Sequence, residues 1–163
     1  MRKMRKGFTL LELLVVIGVM GILSSTAMIA GQQATDAARA TNIADGLEKA
    51  ASAMMMFYSD NATDINTNGT SAVKVAAGAS AYLKGTLASA TAPDTYFAVV
   101  TADDDATAKW YVGYTFLTSD TAIKAMIANK AKRMGLKAAT SLGQNETTIA
   151  DYADGPTVYM QVR

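Results

Sequence analysis

The residues that invite a chemical reading lie at the start of the chain. Residues 1–7 are Met-Arg-Lys-Met-Arg-Lys-Gly, and from Phe8 to Ala30 the chain continues FTLLELLVVIGVMGILSSTAMIA. One charge, Glu12, interrupts this otherwise uncharged run of 23 residues. A carboxylate within a stretch apolar enough to lie in lipid is expensive, so it calls for a partner. If the chain is cut between Gly7 and Phe8, residue 8 gains a free α-amine. Residues 8 and 12 are then i and i+4 on one helix face, and the new cation can meet the carboxylate. The pair can form within one chain or between two neighbours. Between neighbours, in apolar surroundings, it also fixes their axial register, which is a physical route to polymerisation by side-by-side helices.

Little else in the sequence supports chemistry. There is no His and no Cys, which removes the side chain best suited to proton transfer near neutral pH, the usual zinc ligands and any disulfide framework. Asp64-x-Asn66-x-Asn68-Gly69 matches the first half of a calcium loop, but the twelfth position is Val75 where such a loop needs a bidentate Glu. The segment reads instead as an Asn/Gly turn, with no metal site. Asp103-Asp104-Asp105 reads as a solvated turn. No nucleophile elbow and no phosphate loop occurs. The Asn-x-Thr triplets at Asn61, Asn68 and Asn145 arise easily by chance in a Thr-rich chain.

The formal net charge of +1 conceals a split. Arg2, Lys3, Arg5 and Lys6 take four of the 15 basic residues, leaving 11 against 14 acidic ones, or −3. Lys130, Lys132 and Arg133 are too scattered to form a nucleic-acid surface.

The apolar run must be carried by a helix. Residues 8–30 span about 35 Å at 1.5 Å per residue, enough for a bilayer core of about 30 Å. The basic flank belongs on the cytoplasmic side, which places the rest of the chain across the membrane. A plain anchor and a secretory signal cut near Ser25-Thr26-Ala27 fit the same features, but neither gives Glu12 a purpose. Gly21 and Ser25 form a small-xxx-small pair of the kind found at close helix contacts and also common in membrane helices generally.

The string Gly7-Phe8-Thr9-Leu10-Leu11-Glu12-Leu13-Leu14-Val15-Val16-Ile17 resembles the processing motif of type IV pilins and pseudopilins. The likeness covers about the first 25 residues. It implies that 1–7 is a leader, removed by a prepilin peptidase that cuts between Gly7 and Phe8 and methylates Phe8. It implies that Glu12 serves assembly. The implied partners are further copies of the same chain, the peptidase, the inner-membrane assembly machinery and the membrane itself; no cofactor is implied. The implied location is the inner membrane for the precursor and an extracellular filament afterwards. Many relatives carry a proline where this chain has Ile29. Gly18, Gly21 and Gly31 could still loosen the helix.

The remainder predicts an α+β domain. From Gly31 to Tyr58, Ala34, Ala38, Ile43, Leu47, Ala50, Ala51, Met54 and Phe57 recur at near-helical spacing, which continues the first helix through an amphipathic half, 31–58. Met54-Met55-Met56 reads as adaptable core filling. The helix should stop near Ser59, where loop residues 60–70 begin, so the globular domain is 59–163. A short helix is expected near Ser80–Leu87. Thr95–Thr101 and Lys109–Thr118 are rich in aromatic and β-branched residues and predict an antiparallel hairpin. Ser119 or Asp120 begins a helix that ends at Met134 with Gly135 as its stop, its basic last turn suited to the helix dipole. Residues 136–156 are turn-rich, and Thr157–Arg163 alternates as a terminal strand. The expected architecture is a long N-terminal helix packed on a small antiparallel sheet, with an additional short helix, as in pilins.

Three functions compete on these observations: the structural subunit of a type IV pilus, a pseudopilin of a type II secretion system, and a membrane-tethered binding module or enzyme outside the cytoplasm. The motif does not separate the first two. The third needs a pocket of converging polar groups, and the sequence offers none.

Overall fold

The computed structural model describes residues 7–68, 71–89, 91–101, 109–138 and 150–163, the side chains of 66–68 and 150 excepted. Helix α1 is Leu10–Asn68. The chain divides into two compact units, one ending at Asp36 and the other Ala37–Arg163, so α1 contributes to both.

In the second unit, α1 buries Ala40, Ile43, Ala44, Leu47, Ala50, Ala53 and Met54. These positions repeat at three and four residues and make one stripe. The stripe begins at Ala40; Ala34 and Ala38 are exposed. Of the three consecutive methionines only Met54 fills the core, while Met55 and Met56 face outward.

The helix does not end near Ser59. Its regular geometry breaks at Asn61 (φ −120°, ψ 16°), and helical structure resumes as far as Asn68. The Asn61 Nδ2 donates to the Phe57 carbonyl (2.9 Å), supplying a hydrogen bond where the ladder is disturbed. Ile65 holds the last turns in place by burial in the core. The expected Asn/Gly turn is therefore helical over Asp64–Asn68, and Gly69 lies outside the described residues. Asp64 accepts a hydrogen bond from Lys74 Nζ (3.2 Å).

Helix α2 is Ala72–Ser80, earlier in the chain than the expected Ser80–Leu87. Ser71 is its N-cap and accepts from the Lys74 N–H. Ser80 is where it closes. Its hydroxyl donates to the Ala76 carbonyl (2.6 Å) and accepts the Leu87 N–H (2.9 Å). The segment beyond Ser80 is thus tied down as a loop. Gly78 packs under the Phe57 ring, where any larger residue would collide.

Among the described residues the sheet has five strands: β1 (Tyr96–Val100), β2 (Trp110–Thr115), β3 (Leu136–Ala138), β4 (Ala150–Asp151) and β5 (Thr157–Gln161). Their order is β1-β2-β5-β3-β4, and every pairing is antiparallel. The hairpin pairs Ala98 with Val112. Its connecting residues 102–108, with the three aspartates, lie outside the described residues, as does Asn145. Strands β3 and β4 occupy ground that the sequence marks as turns. Strand β5 is central, between β2 and β3.

Alternation sends Trp110, Val112 and Tyr114 to the core face with Val158 and Met160. On the other face Gly113 leaves room for the Phe97 ring, which meets Tyr159 edge to face at 5.9 Å. Trp110 is fully buried beside Phe57 (6.3 Å) and Tyr58 (5.4 Å). The Arg163 guanidinium covers the Tyr58 ring at 4.3 Å.

Helix α3 is Thr121–Met134 and turns Ile123, Ile127 and Ala131 inward. Gly135 ends it in the left-handed conformation (φ 65°), which a glycine adopts without steric cost. Asp120 holds the N-cap position without capping through its side chain. Its carboxylate instead accepts the Leu117 N–H (3.2 Å) and meets Arg39 of α1 (3.3 Å).

The stripe on α1 is central to this unit. Leu47 has no exposed surface, and buried Leu→Ala changes cost about 2–5 kcal/mol. Leu47→Ala should lower unfolding stability by that amount. The fluorescence of Trp110, the single tryptophan, followed in urea with the full chain in detergent, measures it.

Candidate assembly site at the N-terminus

The first described residues, Gly7-Phe8-Thr9, precede α1. Thr9 is its N-cap and Glu12 its third helical residue. The Thr9 N–H and hydroxyl both donate to one Glu12 carboxylate oxygen (2.9 and 3.0 Å). The Glu12 N–H donates to the Thr9 hydroxyl oxygen (3.2 Å). This reciprocal arrangement is a capping box, which satisfies backbone donors left open by the first helical turn. The Leu13 N–H closes the first helical ring onto the Thr9 carbonyl (3.2 Å). The positive end of the helix dipole also favours the carboxylate there.

Glu12 therefore has a local partner in its own chain, and that partner is Thr9. The signal was legible in Thr9-x-x-Glu12 ahead of an apolar run. Phe8 is largely exposed, 88%, and its nitrogen is a neutral amide while Gly7 is attached. Cutting at that bond would place a positive charge one residue before the capping box. Gly7 has open space around it, with nothing against the position of a Cβ.

Behind the cap, every residue from Gly7 to Ala30 is exposed. This part of α1 is long and apolar enough to cross a membrane, with no residue of its most apolar window buried. Its hydroxyls are turned back on the backbone: Ser25 donates to the Ile22 carbonyl (2.8 Å) and Thr26 to the Leu23 carbonyl (2.9 Å). Satisfied in this way, they cost little in a medium without water. The helix passes through Ile29 unbroken, and Gly18, Gly21 and Gly31 have no neighbours. The Gly21 and Ser25 surface is open.

Elsewhere several charged groups have a partner or a place in the fold. Lys130 Nζ donates to the Thr41 hydroxyl (3.0 Å), Lys137 pairs with Asp151 (2.7 Å), and Lys132 and Arg133 lie in the last turn of α3. Tyr82 hydrogen-bonds Asp60, and Tyr114 hydrogen-bonds Asp94.

No curated protein and no solved structure matches the chain. Residues 2–28 match the family described as the prokaryotic N-terminal methylation motif. With that match falling on the basic segment, Gly7-Phe8, the Thr9–Glu12 cap and the exposed apolar helix, the chain carries the signature of type IV pilins and pseudopilins.

Proposed function

We propose that this chain is the structural subunit of a type IV pilus. The observation that carries the reading is the placement of Gly7-Phe8 and the Thr9–Glu12 cap at the head of an apolar helix none of whose residues from 8 to 30 is buried. The first seven residues act as a leader. A prepilin peptidase cuts between Gly7 and Phe8 and methylates the new amine. The precursor is held in the inner membrane by residues 8–30, with its 37–163 unit across the membrane from the basic flank. Assembly machinery then draws subunits into a filament outside the cell. In the filament the apolar helices pack on one another, and the methylated Phe8 amine of one copy meets Glu12 of the next. The role is structural rather than enzymatic, as the methylation motif indicates for the family.

Electron microscopy of the sheared surface fraction tests the pilus reading. Long fibres should be recovered whose peptide map matches this chain. Short periplasmic assemblies, with no surface fibre, would fit a secretion pseudopilus instead and overturn it.

A further inference from the structure

Where α1 first meets the second unit, its attachment is unlike the rest of the stripe. From Ile43 onward the helix is held by large or closely spaced apolar residues. Over Arg39–Asn42 the single buried residue is Ala40, whose methyl group contributes little apolar area. Three polar links do the remaining work. Arg39 reaches the Asp120 carboxylate at 3.3 Å. Lys130 Nζ donates to the Thr41 hydroxyl at 3.0 Å. The Tyr96 hydroxyl donates towards the Asn42 and Ile43 carbonyls at 3.3 and 3.4 Å. Gly46 makes the last link possible, because a Cβ there would overlap the Tyr96 ring.

Among the described residues Asp120 is the buried charged side chain, 5% exposed. Arg39 keeps 41% of its side chain accessible. The latch therefore joins a fixed acceptor, held by the Leu117 N–H at the start of α3, to a partner that water can reach and compete for. Partly exposed pairs of this kind are modest in strength and sensitive to screening.

We infer that Arg39, with Thr41 and Asn42, forms a strap that can open while the core below Ile43 stays closed. Opening it detaches one turn of α1, about 6 Å of helix at 1.5 Å per residue. The strap thus sets how much of α1 is packed and how much is free. A subunit can adjust that length without unfolding, since local openings lie well below the free energy of global unfolding.

The chain has no cysteine, so one introduced thiol is an unambiguous reporter. Ala40 (1% exposed) lies under the strap, and Ala53 (2%) lies further along the same stripe. In the full chain in detergent, maleimide labelling of Ala40→Cys should quicken about fivefold when Arg39→Gln is added. Labelling of Ala53→Cys should not change, and Arg39→Lys should restore most of the protection. Thr41→Val, an exposed and milder change, should accelerate Ala40→Cys labelling about threefold. An unchanged rate at residue 40 in both variants would overturn the proposal. So would equal acceleration at residues 40 and 53, which would mean that Arg39 supports the whole unit.

Discussion

Cells producing Glu12→Ala are expected to hold normal amounts of subunit and to make few or no fibres. Among the described residues the Glu12 carboxylate accepts from Thr9, in a capping box at an exposed helix start. The alanine variant keeps half of that box, since the residue-12 N–H still reaches the Thr9 hydroxyl. The helix start should therefore survive, and the core of the 37–163 unit contains no contribution from residue 12. Assembly changes the environment. In the proposed filament, where neighbouring helices would exclude water, a free Phe8 amine would become a buried cation without a counter-charge, and a charge left unpaired in that way is strongly destabilising. The penalty recurs with every subunit added, so growth should fail.

Glu12→Gln separates the two roles of the residue. Glutamine can also complete a capping box, but it carries no charge. If charge pairing sets register, Glu12→Gln is as bare of fibres as Glu12→Ala. Wild-type fibre numbers from Glu12→Gln would assign the residue to capping. Loss of the subunit from the membrane in either variant would assign it to insertion or stability.

The parts of the fold that could be read from the sequence are those with strong local signals. Gly135 marks the end of α3 because only a residue free to take positive φ closes it so cheaply. Strands β1 and β2 are legible because they are rich in aromatic and β-branched residues, and β5 because its inward and outward residues alternate. The misread parts depend on distant contacts. The helical stretch beyond Asn61 is composed of loop-forming residues and is retained because Ile65 is buried. Helix α2 is built mostly from small residues, so its inward Ala76 and Ala79 contrast little with their neighbours. Strands β3 and β4 have three and two residues, too few for a period to register.

At the N-terminus, the string of residue types marks the motif that the family comparison also matches, but the geometry of the proposed site was only half legible. The i to i+4 spacing of Phe8 and Glu12 points to the amine that processing would create. The i to i+3 spacing of Thr9 and Glu12 describes the partner present in the uncut chain. Both fit one sequence of events in which the carboxylate is held in place by Thr9 until a cation appears beside it.

That sequence of events requires the cut. Gly7→Val should leave nearly all of the protein as uncut precursor in the membrane, with no fibres, because a branched side chain fits poorly where the peptidase accepts glycine. Nothing lies against the position of a Cβ at Gly7, and the residue belongs to the first unit, so the substitution should not disturb folding of the 37–163 unit. A stable, correctly inserted precursor is the expected product. Normal trimming of this variant would place the cut elsewhere.

The most direct measurement is the intact mass and N-terminal sequence of the wild-type protein recovered from cells. The account predicts a chain that begins at Phe8, lacks residues 1–7 and carries one added methyl group on its α-amine. A chain that begins at Met1 or at Met28 would contradict it.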